Sequence, residues 1–224
     1  MEKTRYLCLH DTPLFSGIDN ASFNLFCTAA RKQRIKKGEF LFNQGSPADT
    51  IYLIQKGSIK LVSNTENGDE IITQIIGTGE ILGETALFRE GIFLSTSAIV
   101  LEESTVCFLN RQTFESIVIN NPEIALKIIK CLGRRLDDIS KHTTELKTQS
   151  IPEKVISLFI QLAEQYGEPL QNGTLIKIHL TQQEIASAIG ASRVMVSQVL
   201  QQLTKTNKIC KKNGYYVLIK KCIY

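Results

Sequence analysis

Tryptophan is absent from this chain of 224 residues, methionine occurs twice and proline five times. No apolar run approaches the ~20 residues that a membrane helix needs, so no membrane partner is expected. The first residues, MEKTRYLCLHD, meet an acid before any apolar core of signal-peptide length. Export is therefore not expected, and the reading is a cytoplasmic protein with reduced thiols. None of the six cysteines lies within three residues of another, which excludes a CxxC zinc or redox motif. Cys8 and His10 form a CxH, but no second ligand pair follows at zinc-site spacing, so no metal site is expected. No Walker loop, HExxH, GxSxG or paired carboxylate stands at a plausible site, so the reading is not an enzyme and assigns no catalytic residue.

Acidic residues nearly vanish from the last quarter. Residues 1–171 carry 18 Lys and Arg against 21 Asp and Glu, whereas residues 172–224 carry 8 Lys and Arg against Glu184 alone. A basic end on an acidic body suggests a polyanionic partner, with a solvated tail as the alternative.

The first hundred residues place eight glycines between Gly38 and Gly91 at intervals of about ten, the rhythm of an all-β barrel or sandwich. Strands are expected over Glu39–Phe42, Thr50–Gln55, Ser58–Ser63, Glu70–Ile76, Thr96–Glu102 and Thr105–Asn110, with a hairpin turn at Asn67-Gly68. The period then changes. Arg111–Ile119 reads as a short helix, and a long one starts at Pro122, where a missing N–H costs nothing. Along it Ala125, Ile129, Leu132, Leu136, Ile139, Thr143 and Leu146 repeat at 4-3 spacing. Such a narrow seam favours pairing with a second copy over packing on its own domain. Ser150 and Pro152 restart a helix that runs to about Tyr166.

The basic region holds a second pattern. Thr181 and Glu184 form a capping box before a helix over Gln182–Ala188. Gly190 ends it, and Ser192 caps a helix from Arg193 to about Thr204. Ile185, Ala186, Ile189, Val194, Val196, Val199, Leu200 and Leu203 are the expected shared core. A hairpin follows, Ile209–Lys211 and Tyr215–Ile219 around Asn213-Gly214. Helix, tight turn, helix and basic hairpin read as a winged helix-turn-helix, whose second helix enters a major groove. The DNA-binding candidates are Thr181, Gln182, Ser192, Arg193, Met195, Ser197, Gln198, Gln201 and Lys212. Arg193 suits guanine or phosphate, Gln198 suits adenine, and the lysines add sequence-independent attraction.

The segments TPLFSGI (12–18), KGEFLFNQG (37–45), IYLIQKGSIKL (51–61), GETALF (83–88) and GASRVMVSQVL (190–200) lie in one register over nearly the whole chain. In this order they resemble the family of the cAMP receptor protein and FNR. The resemblance implies an α+β chain. Its parts are a cyclic-nucleotide-binding-type β-roll (a double-stranded jelly roll) over 1–120, a dimerisation helix over 121–147 and a winged helix-turn-helix domain over 148–224. It implies a homodimeric transcription factor on double-stranded DNA with a two-fold operator, and RNA polymerase as a partner. The dimer seam is Ile129, Leu132, Leu136, Ile139, Thr143 and Leu146. The effector site that the resemblance implies is Gly83, Glu84, Thr85, Thr96 and Ser97 with Arg135, Ile139 and Ser140 of the long helix.

The departures from the family pattern concern the effector and the operator. In cAMP-binding members the Gly-Glu cassette ends in Arg-Ser, and that Arg pairs with the cyclic phosphate. Here the matching pair is Thr96-Ser97, and a neutral hydroxyl cannot replace a charge-assisted bidentate bond. A small effector other than cAMP is the expectation, with a ligand-free regulator, or a thiol-sensing one with Cys8, Cys210 or Cys222 as the sensor, as the alternative. An FNR-type iron–sulfur cluster needs clustered N-terminal cysteines, and only Cys8 and then Cys27 occur there. Haem near Cys8 and His10 stays open. Members that read a TGA-type half-site carry Glu and then Arg where this chain has Val194 and Gln198. The expected half-site therefore differs from TGTGA.

Overall fold

The computed structural model describes residues 20–64, 70–84 and 91–219. The chain divides into two units, residues 1–61 with 75–139 and residues 62–74 with 140–224.

The N-terminal part is a β-roll flanked by helices. Helix α1 (Asn20–Ala29) precedes β1 (Arg31–Ile35), β2 (Phe40–Phe42), β3 (Thr50–Lys56), β4 (Ile59–Asn64), β5 (Glu70–Ile76), β6 (Ile81–Leu82), β7 (Ser97–Val100) and β8 (Ser104–Asn110). Two four-stranded sheets result, in the orders β1-β8-β3-β6 and β2-β7-β4-β5. Strand β3 is buried at five successive positions, Ile51 to Gln55, because both its faces are covered, and Ile51, Leu53 and Ile54 are almost wholly buried. Tyr52 packs between Phe42 and Phe108, with ring centroids 5.2 and 5.3 Å away. The Asn67-Gly68 turn falls outside the described residues.

Two of these strands carry no sequence signal. Strand β1, Arg-Lys-Gln-Arg-Ile, exposes four polar side chains, and it is a strand because it pairs antiparallel with β8 from Arg31 opposite Phe108 to Ile35 opposite Ser104. Strand β6 is two residues long and exists through its pairing with Tyr52 and Leu53.

Helix α2 (Arg111–Asn120) starts where the Asn110 side chain accepts from the Thr113 N–H at 3.1 Å, and it buries Phe114 and Ile117. Helix α3 (Pro122–Thr148) follows after Asn121. Ile124 and Ile128 are buried in the roll core and Leu132 packs against it, so this helix face belongs to its own unit. Leu126, Ile129 and Leu136 are 58, 62 and 66% exposed on another face.

The C-terminal part begins with α4 (Ile151–Tyr166), which buries Val155, Leu158, Phe159 and Leu162. Residues 167–176 form a hairpin of β9 (Gly167–Leu170) and β10 (Gly173–Ile176). Helices α5 (Gln182–Ile189) and α6 (Arg193–Lys205) and strands β11 (Ile209–Lys212) and β12 (Tyr215–Ile219) complete a winged helix, with the sheet order β11-β12-β10-β9. Residues 62–74 group with this unit: Ser187 Oγ of α5 donates to the Glu70 carbonyl at 2.6 Å and accepts from the Ile72 N–H at 3.2 Å.

Candidate functional site

The helix-turn-helix is set by short-range hydrogen bonds. Thr181 Oγ1 accepts from the Glu184 N–H at 3.2 Å, and Glu184 Oε2 accepts from the Thr181 N–H at 2.7 Å. This reciprocal cap starts α5 at one position. Gly190 ends it at φ 65° and ψ 41°, the left-handed region where a side chain is disfavoured. Ser192 Oγ accepts from the Met195 N–H at 3.3 Å and starts α6. Ile185, Ala186 and Ile189 of α5 are buried, as are Val196, Val199, Leu200 and Leu203 of α6.

Val194 is a correction to the expected core, since it is 67% exposed. At about 3.6 residues per turn it lies opposite the stripe of Val196, Val199, Leu200 and Leu203, on the same face as Gln198, Gln201 and Lys205. These four are all exposed, and Arg193 and the 46%-exposed Met195 flank them. Val194 thus lies on the outer face of α6, as its match to the base-reading position of the family implies and as the count of hydrophobic side chains does not. Of the other DNA-binding candidates, Ser192, Thr181 and Lys212 are exposed, and Ser197 and Gln182 are half-buried. On the wing, Lys211 Nζ sits 4.7 Å over the Tyr216 ring, which steadies one cation at that edge.

The effector candidates are placed in part. Gly83 and Glu84 follow β6 at the edge of one sheet, and Ser97 opens β7 of the other. Gly83 has φ +80°, and a Cβ there would stand 2.3 Å from the Thr50 carbonyl oxygen, so the chain needs glycine at this close approach. Glu84 is 8% exposed, Thr96 is half-buried, and buried Ser97 accepts from the Gln44 N–H through Oγ at 2.9 Å. Thr85, Cys8, His10 and Cys222 lie outside the described residues. Arg135, Ile139, Ser140, Thr143 and Leu146 lie on α3, but their side chains are outside the description.

The described thiols differ in environment. Cys107 is buried on β8, and desolvation pushes its thiol up to about 11, against a smaller opposing effect of Lys32. Cys27 is raised in the same way, and Cys210 is exposed. Because the thiolate is the nucleophile, Cys107 is expected to alkylate far more slowly than Cys210 at pH 8. Peptide mapping after iodoacetamide pulses checks this, and equal rates would contradict the burial argument. A thiol held protonated by the fold also has a stability consequence: folding should weaken as pH rises from its ordinary value of 9.0 toward about 11.

Among the described residues no cluster of His, Cys, Asp or Glu is arranged to hold a metal ion. No helix of the described residues is long and apolar enough to cross a membrane.

Comparison with known proteins agrees with this architecture. The cyclic nucleotide-binding domain family matches residues 32–121, and the Crp-like helix-turn-helix domain family matches residues 153–222. The chain is 28% identical over 207 residues to the CRP-like cAMP-activated global transcriptional regulator of Mycobacterium tuberculosis, covering 92% of this chain and 91% of that protein. It is 29% identical over 205 residues to the anaerobic regulatory protein of Bacillus subtilis, covering 91% of this chain and 86% of that protein. Among solved structures, the c-di-GMP responsive global regulator CLP of Xanthomonas campestris aligns with a TM-score of 0.72 at 21% identity, over 90% of this chain and 99% of that one. A CooA mutant from Carboxydothermus hydrogenoformans aligns with a TM-score of 0.71 at 21% identity, over 96% of this chain and 91% of that one. A β-roll followed by a winged helix with an outward-facing recognition helix, matched in both parts, places this chain in the CRP/FNR family of DNA-binding transcription regulators.

Proposed function

We propose that the protein is a homodimeric regulator whose fit to a two-fold operator is set by a small effector other than cAMP. In this reading residues 1–120 sense the effector, 121–147 pair the two copies and 148–224 bind DNA. The observation that carries it is one chain with both an exposed apolar stripe on α3, Leu126, Ile129 and Leu136, and a basic winged helix. Two copies joined along α3 present two recognition helices, which a two-fold operator matches. Relative to the expected seam, the exposed stripe adds Leu126, while Leu132 serves its own core.

The effector would lie in the roll where Gly83 and Glu84 follow β6 and Thr96 and Ser97 enter β7, and Arg135 lies on α3 of the same unit. The named relatives do not share one input, since one is cAMP-activated and another is an anaerobic regulator. Thr96 at the place of the phosphate-binding Arg supports an effector less anionic than cAMP. Effector binding acts by shifting the population in which both recognition helices fit the grooves. A thiol input is the second reading, supported by exposed Cys210 and not by Cys27 or Cys107, whose thiols burial keeps protonated.

The test is made on the purified protein. Sedimentation should return the mass of two chains. Thermal melting is then run against cAMP, cGMP, haem, nitric oxide, 2-oxoglutarate, small aromatics and an oxidant. A true effector at a hundredfold excess over its Kd stabilises by about 2.7 kcal/mol. No shift is expected with cAMP. A clear shift with cAMP would overturn the argument from Thr96, and a response to oxidant that Cys210→Ser removes would favour the thiol reading.

A further inference from the structure

The wing turn rests on a side chain that no DNA-binding reading of the sequence includes. His179 lies in the loop between β10 and α5, two residues before the Thr181 cap. Its neighbours Ile178 and Leu180 are 1 and 2% exposed, so the backbone at His179 is pinned from both sides. The imidazole meets the Tyr215 ring edge-on, with centroids 5.3 Å apart at 66°. It also covers the turn of the β11–β12 hairpin. A Cβ on Gly214 would stand 2.6 Å from His179 Nε2 and 3.5 Å from Cδ2 and Cε1. Asn213 and Gly214 take φ 51° and 86°, the two positive values of the tight hairpin turn that an Asn-Gly pair favours. The ring therefore sits directly beneath this turn. His179 Nδ1 is buried and has no hydrogen-bond partner.

We propose that His179 is a positioning residue for DNA binding, its ring seating the Asn213-Gly214 turn of the wing against the loop that starts α5. The inference rests on the assignment of the winged helix to DNA. One short segment, residues 178–181, then sets two elements at once: the N-terminus of α5 through the Thr181 cap, and the wing bearing Lys211 and Lys212 through the ring. A phosphate backbone followed by both elements needs them at a fixed spacing, and the ring supplies that spacing by shape. The unpartnered Nδ1 shows that hydrogen bonding at that atom is not the source of the effect. An apolar ring of similar size should serve as well, since it removes a buried polar atom that has no partner.

The experiment measures binding to an operator selected by the wild-type protein from random DNA, by fluorescence anisotropy over a series of salt concentrations. His179→Ala should weaken binding about tenfold and reduce the slope of log K against log salt by about one, as loss of one wing phosphate contact does. Its half-site preference should be unchanged, because the wing does not carry the base contacts of α6. Lys212→Ala provides the reference for a lost wing contact. His179→Phe should bind within about threefold of wild type with the wild-type slope, since it keeps the ring beneath the turn. Melting curves confirm that each variant is folded. If His179→Ala folds poorly, His179→Phe still decides the matter through its slope. A wild-type slope in folded His179→Ala, or a His179→Phe variant with the reduced slope, overturns the proposal. Failure of the wild-type protein to bind any selected DNA would instead overturn the DNA-binding assignment on which it rests.

Discussion

Val194→Glu combined with Gln198→Arg is expected to convert the DNA preference of this protein to a TGA-type half-site. Both positions are exposed on the outer face of α6, one turn apart, so on bound DNA both side chains would meet the same stretch of groove floor. Val194 has only methyl groups to offer, which suit a thymine methyl, and Gln198 is built for the N6 and N7 atoms of adenine. A glutamate accepts from cytosine N4 and an arginine bonds guanine O6 and N7 in a bidentate fashion. Each such pair is worth about 1–3 kcal/mol of discrimination, so two exchanged contacts move relative affinity on the order of a hundredfold or more per half-site. Selection from random DNA followed by anisotropy on the two winning sites measures the exchange. The wild-type protein should return a half-site other than TGTGA. A double variant that still selects the wild-type operator would show that neither position reads bases.

The largest loss of stability is expected from Phe159→Ala. Phe159 is fully buried on α4 and its ring lies 4.8 Å from that of Tyr216 on β12, so it joins the helix to the wing sheet. Truncating a buried phenylalanine costs about 3–5 kcal/mol, the transfer of the ring plus the cavity it leaves. For a unit of this size that lowers the melting temperature on the order of 20 °C. DNA binding should disappear at 37 °C, because α6 keeps its orientation only while its buried face is packed. Scanning calorimetry reads the shift directly, and Phe159→Leu, which leaves a smaller cavity, should recover much of it. A shift of only a few degrees would mean that the site relaxes to fill the space.

The parts of the fold that were legible in the residues depend on neighbours within one helical turn. The Thr181–Glu184 and Ser192–Met195 hydrogen bonds start α5 and α6 where the capping residues stand, and Gly190 stops α5 where a left-handed residue is needed. Pro122 and Asn213-Gly214 act over the same short range. These signals place α4, α5, α6, β11 and β12 to within about one residue, whereas the β9–β10 hairpin left no such mark. The order of motifs along the chain then suffices for the family, although no single motif is specific.

Other features depended on partners far along the chain. Strand β1 is polar at four of five positions and becomes a strand only because β8, more than seventy residues later, supplies its ladder. The exposure of Val194 follows from which side of α6 meets α5, and the inward packing of Leu132 from which side of α3 meets the roll. His179 carries no motif at all, and its place under the wing turn exists because β12 returns beside β10. Caps, turns and periodicity are local energies, written in residues three or four apart, so the order of residues determines them. Ladder pairing, the choice of buried face and the contact of ring with turn are decided by surfaces that meet only when the chain has folded.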